Sequence, residues 1–105
     1  MPPLFLYGLD KPYRNLIIYS MNTIKWTDKA LRQSRKINDR LLRARIFDEV
    51  QVLRDFPACT GVKHLSNHEY TYRLRVGSYR VFFEFDGVVK VVSIEEVKKR
   101  DERTY

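Results

Sequence analysis

The sequence predicts an α+β domain: two N-terminal helices packed on one face of a small antiparallel sheet, in the order β-α-α-β-β-β. Three observations predict it. Apolar residues recur with helical spacing between residues 28 and 55, they alternate with strand spacing from residue 70 onward, and two turn signals, Gly77-Ser78 and Asp86-Gly87, divide that second region into hairpins. With 105 residues, 44% of them hydrophobic and 13% aromatic, the chain suffices for one domain with a real core.

The first strand is "NTIKW" (22–26), which alternates and is rich in β-formers. Thr27 and Asp28 supply cap chemistry for a helix over 28–37, with Ala30, Leu31, Ser34 and Ile37 along its inner side. Asn38 and Asp39 break and recap the chain. A second helix then runs to about Asp55, where Leu42, Ile46, Val50 and Leu53 form an i, i+4, i+8, i+11 stripe. Pro57 and Gly61 end it, and strands follow at 70–76, 79–85 and 88–95. Two helices on one face would leave the other face of the sheet open.

Residues 21–105 thus form the expected domain. Residues 1–20 read as an N-terminal extension, with "NLIIYS" as a competing edge strand. No stretch is long enough to span a membrane, and the oily opening lacks the basic start and small-residue cleavage site of a secretory signal. Cys59 is the only cysteine, which rules out an internal disulfide and fits the cytoplasm.

Charge narrows the function. Twenty Lys+Arg against 13 Asp+Glu give +7, so an anionic partner is expected: nucleic acid first, an acidic protein second, a membrane surface third. The first hairpin concentrates that charge. Gly77-Ser78, with Gly first, favours a type II′ turn and sets Val76 opposite Tyr79, Arg75 opposite Arg80 and Arg73 opposite Phe82. Arg73, Arg75 and Arg80 then share the open face. Opposed like charges destabilise a sheet unless solvent screens them or an anion sits between them. Asp86-Gly87 reads as a type I′ turn, a register that puts Lys90 on the core face and Phe82, Val89 and Val91 beside the arginines. A basic, partly aromatic sheet face suits RNA, whose bases stack while its phosphates are held.

The segment "YRLRVGSYRVFFEFDGVVKVVSIEEVKKRDERTY" resembles the C-terminal half of RelE/ParE-superfamily toxins of bacterial toxin–antitoxin systems, and the element order from residue 22 agrees with theirs. Similarity to the RelE-type ribonucleases implies cleavage of mRNA in the ribosomal A site without a metal or cofactor, by attack of the ribose 2′-hydroxyl on the adjacent phosphate. By this resemblance Arg73 and Arg75 stand where those enzymes carry two strand lysines that contact RNA. Arg80 matches the arginine that neutralises the scissile phosphate, Arg100 the tail arginine acting at the leaving oxygen, and Tyr105 the tail tyrosine that stacks on a base. Lys98, Lys99 and Arg103 of the tail, with Phe82, are the further RNA contacts. Arginine is a poor general base, so electrostatic stabilisation of the crowded phosphate is the easier chemistry to expect of Arg75. Membership also implies a cognate antitoxin, mRNA and the ribosome as partners, and a toxin–antitoxin heterotetramer as an assembly to expect. A ParE-like gyrase poison without nuclease chemistry is the alternative.

His64 and His68 lie four apart but in an expected loop, with no cysteine nearby to complete a metal site. With Glu69 they are reserve acid–base candidates. Cys59 reads as structural, and Trp26 and Phe47 as core.

Overall fold

A computed structural model describes residues 21–100; the alternatives for residues 1–20, and Arg103 and Tyr105, lie outside the described residues. The element order is β1 (Thr23–Trp26), α1 (Asp28–Arg35), α2 (Arg40–Val50) with a 3₁₀ turn at Gln51–Asp55, β2 (Val62–His64), β3 (Tyr72–Val76), β4 (Tyr79–Asp86) and β5 (Val91–Lys99). The strands form one five-stranded sheet in the order β1-β5-β4-β3-β2. Among the described residues only the β1–β5 pair is parallel, because both helices intervene before the chain returns beside β1.

Both helices start where cap chemistry directs. The Thr27 side chain accepts from the Ala30 amide and the Asp39 carboxylate from the Leu42 amide, each at 3.1 Å. α1 stops at Arg35, two residues short of expectation, as Lys36 and Ile37 turn their amides back to Gln33 and Ser34 in a tighter turn. The expected α2 stripe holds: Ile46, Val50 and Leu53 are fully buried, with Leu42 packed at their margin. They meet Leu74, Val76, Val81, Phe83, Val92, Ile94 and Val97 from the sheet. Trp26 lies 4.6 Å from Phe47, and Cys59 is half-buried against the core, both in the structural roles expected of them. Asn22, only 4% exposed, donates from its side chain to the carbonyls of Leu53 (3.0 Å) and Phe56 (2.8 Å), fastening the start of β1 to the end of the helical segment.

Three features depart from the sequence reading. Val62–His64 is a strand rather than loop, pairing with β3 so that Lys63 faces Arg73 and His64 faces Tyr72. The β4–β5 connection is four residues rather than two: Asp86 still pairs, with Val91, and its carboxylate accepts from the amides of Val88 (2.9 Å) and Val89 (3.3 Å). Lys90 therefore occupies the turn, at φ 57°, and not the core face; Val88 and Val89 are 93% and 64% exposed, away from the arginines. β5 consequently begins at Val91 and runs to Lys99. A bulge opposite Phe82/Phe83 then leaves Glu95 over. The reason is apolar phase: Val92 and Ile94 point inward, and the extra residue lets Val97, rather than Glu96, resume that side.

Beyond Trp26 the chain stays beside β5. The Thr27 amide donates to the Ile94 carbonyl, the Thr27 hydroxyl to the Glu95 carbonyl, and the Gln33 side-chain carbonyl accepts from the Val97 amide at 2.7 Å. α1 thus borders the half of β5 that β1 does not reach.

Candidate nucleic-acid interface

The first hairpin adopts the expected register. Gly77 has φ 57° while Ser78 does not have positive φ, which is the type II′ pattern. Arg75 opposes Arg80, and Arg80 in turn opposes Lys98 on β5, so three cations stand in a row across three strands. The neighbouring row runs Lys63, Arg73, Phe82, Glu96. Lys63 was missed because β2 was missed; the short alternation V-K-H-L after Gly61 was its only signal.

The Arg100 amide donates to the Ser78 carbonyl at 2.7 Å, which brings the start of the tail back to the tip of the hairpin. Arg73 registers the convergence. Burial, and then the positive charges of Arg80, Arg75 and Arg100, push its guanidinium pKa below the usual arginine value. Its Nε is buried and has no hydrogen-bond partner among the described residues. Arg73, Arg75 and Arg80 form no salt bridge there either; the acids that are paired, Glu96 and Glu49, engage Lys29 and Arg45.

The other candidates divide between the faces. Lys98 joins the arginine row, whereas Lys99 alternates to the opposite side, opposite Tyr79 and over a groove shared with Ile37 and Leu42. His64 also lies on that opposite side, its ring 5.4 Å from Tyr72. His68 stands on the arginine face, and Glu69 is exposed beside it. No cluster of metal-ligating side chains occurs among the described residues.

Phe82 does not present a bare ring. It is 5% exposed, because His68 stacks on it at 4.9 Å and Tyr70 at 5.6 Å. The loop carrying both rings is fastened at several points. The His68 Nδ1 accepts from the Tyr70 amide, the Glu84 carboxylate accepts from the Thr71 amide, and Lys29 bridges the Tyr70 hydroxyl and Glu96. Glu96 also accepts from Gln33. Burial pushes the Glu96 carboxyl up, but hydrogen bonding by Tyr70, Lys29 and Gln33 and the Lys29 charge together hold it below the usual glutamate range. Sequence periodicity could not reveal this network, which joins α1, the loop and β5.

The domain is thus β-α-α-β-β-β-β, with Arg73, Arg75 and Arg80 on the face of the sheet that the helices leave open. The family model for the ParE toxin of the type II toxin–antitoxin system, parDE, matches residues 24–103, and the chain belongs to that family, within the RelE/ParE superfamily of type II toxins. Solved structures agree in fold. A RelE–RelB complex from the archaeon Pyrococcus horikoshii OT3 is similar with TM-score 0.66 and 21% identity, over 78% of this chain and 98% of that one. The RelBE2 toxin–antitoxin complex of Mycobacterium tuberculosis has TM-score 0.62 and 28% identity, over 76% and 99%. The isolated Escherichia coli RelE toxin has TM-score 0.62 and 21% identity, over 79% and 88%. No curated protein sequence matches the chain.

Proposed function

We propose that this toxin blocks translation by cutting mRNA, and that the site is the arginine face of the first hairpin. The observation carrying this reading is the convergence of Arg73, Arg75 and Arg80 on one face, with the Arg100 backbone tied to the tip of the same hairpin. In the proposed reaction the ribose 2′-hydroxyl gives its proton to solvent as its oxygen attacks the adjacent phosphorus. The bond to the 5′-oxygen breaks and that oxygen takes up a proton from solvent, leaving a 2′,3′-cyclic phosphate and a free 5′-hydroxyl. Negative charge accumulates on the phosphoryl oxygens on the way. Fixed guanidinium donors, already gathered at a repulsive cost, are suited to offset that charge. Arg80, central in its row, neutralises the phosphate; Arg73 and Arg75 hold its flank; Arg100 serves the leaving oxygen. Lys98, Arg103 and Tyr105 extend contact along the RNA. The ribosome supplies the ordered single strand.

A cognate antitoxin encoded nearby is the expected partner in the cytoplasm, assembled as a toxin–antitoxin heterotetramer. The RelE toxins of Pyrococcus and Mycobacterium noted above were solved as complexes with antitoxins, which supports this expectation. A second reading, gyrase poisoning, is favoured by the family model itself, which describes a parDE toxin. Induction of the full chain in a bacterium separates the two, with translation and DNA supercoiling followed in parallel. Rapid loss of translation over intact supercoiling is expected. A DNA-damage response with intact mRNA would replace the first reading by the second.

A further inference from the structure

We propose that His68, layered on Phe82, is a base-stacking platform that seats one nucleobase of a single-stranded RNA whose phosphate lies on the arginine row. This deepens the RNA reading above and rests on it. Four observations carry it. His68 lies nearly parallel to Phe82, at 18°, so one ring face is taken; the Tyr70 ring stands 6.0 Å away at a tilt, and the residue stays exposed overall. The ring is held in place, because its Nδ1 accepts from the Tyr70 amide and Tyr70 is itself tied to Lys29. That bond also occupies the ring's Nδ1 acceptor, so what the ring offers a base is its π-face.

Position supplies the fourth observation. Phe82 is the direct partner of Arg73 and lies two residues from Arg80 on the same face of β4. Two residues of strand span about 6.6 Å, which matches the reach from a nucleotide phosphate to its own base. Cations beside an exposed aromatic residue are the two components of single-strand recognition. Charge selects the occupant, since the arginine end of the face is cationic and, of the acids near the platform, Glu84 and Glu96 are engaged by Thr71 and by Lys29 and Gln33, while Glu69 is exposed to screening solvent. The buried Phe82 is thus the floor of the stack rather than its contact surface, and His68 is a binding residue rather than an acid or base.

The test uses the full chain and an uncleavable 2′-O-methyl RNA trinucleotide, beside the same oligomer with one abasic position. Wild type is expected to bind the abasic oligomer about tenfold or more weakly, as loss of one base–aromatic stack predicts. His68→Ala should lose the same factor with the intact oligomer and almost nothing further with the abasic one, while His68→Phe restores binding. The His68 ring-proton resonances should move upfield on binding, a signature independent of cleavage. Arg80→Ala should weaken both oligomers alike. Equal binding of both oligomers by wild type, with Arg80→Ala still impaired, would overturn the platform and leave the phosphate site standing. No RNA binding by wild type would overturn both. An oligo-aspartate peptide that binds as tightly and responds equally to His68→Ala would assign the loop to a protein partner instead.

Discussion

Replacing Arg80 by alanine separates a functional charge from a structural one, because this arginine has a cation on either side. Its strand partners are Arg75 and Lys98. Each directly opposed like-charge pair destabilises a sheet by about 0.2–1 kcal/mol, so relief of both is worth about 0.4–2 kcal/mol. Against that stands the loss of the half-buried stem, at about 0.8 kcal/mol for each buried methylene. The two nearly cancel, and Arg80→Ala is expected within about 1 kcal/mol of wild type in urea unfolding. Salt reveals the hidden repulsion. The screening length falls from about 10 Å at 0.1 M to about 3 Å at 1 M, so added salt should stabilise wild type more than the variant. Meanwhile cleavage of mRNA on programmed ribosomes should fall by about a hundredfold or more, the usual effect of removing one donor from a preorganised anion site. A variant destabilised by more than about 2 kcal/mol at every salt concentration would refute this reasoning and return Arg80 to a structural role.

Two further outcomes are expected. Asn22→Ala removes both buried donors to the Leu53 and Phe56 carbonyls and should cost about 2–4 kcal/mol in urea unfolding; a loss under 1 kcal/mol would mean that the junction of β1 with the helical segment is held by other contacts. For Glu96, a folded pKa below the ordinary value means that its contribution is present above the normal glutamate range and lost as pH falls through the depressed value. The stability gap between wild type and Glu96→Gln should therefore hold at neutral pH and close below about pH 4; a gap unchanged at pH 3 would contradict the network drawn around Lys29.

What could be read from sequence was local. The Thr27 and Asp39 caps, the Leu42 to Leu53 stripe and the II′ turn each depend on chemistry within a few residues, and they placed both helices and the arginine hairpin. The β4–β5 register was not legible, because a two-residue turn and the four-residue turn capped by the Asp86 carboxylate start from the same Asp-Gly. The pair Glu95-Glu96 before Val97 carries the phase slip in retrospect, but only the sheet determines which glutamate is left over. The candidate site divides in the same way. Arg73, Arg75, Arg80 and Lys98 follow from strand alternation, whereas the cover on Phe82 comes from a loop whose path nothing in the alternation encodes.

The strand order has a consequence for how this chain survives at high concentration. Among the described residues its two longest strands, of eight and nine residues, lie inside the sheet, and the outermost strands are only four and three residues long. Where β1 gives out, the Gln33 side-chain carbonyl takes the Val97 amide as a neighbouring strand would, while its NH2 donates to the Glu96 carboxylate. A second molecule seeking to extend the sheet meets a short template at either margin and a side chain already seated on the remaining stretch of β5. Among the described residues, fibre growth is thereby denied a long starting row of free amides. Gln33→Ala reopens that row, and its first symptom should be turbidity on concentration rather than a lower melting temperature.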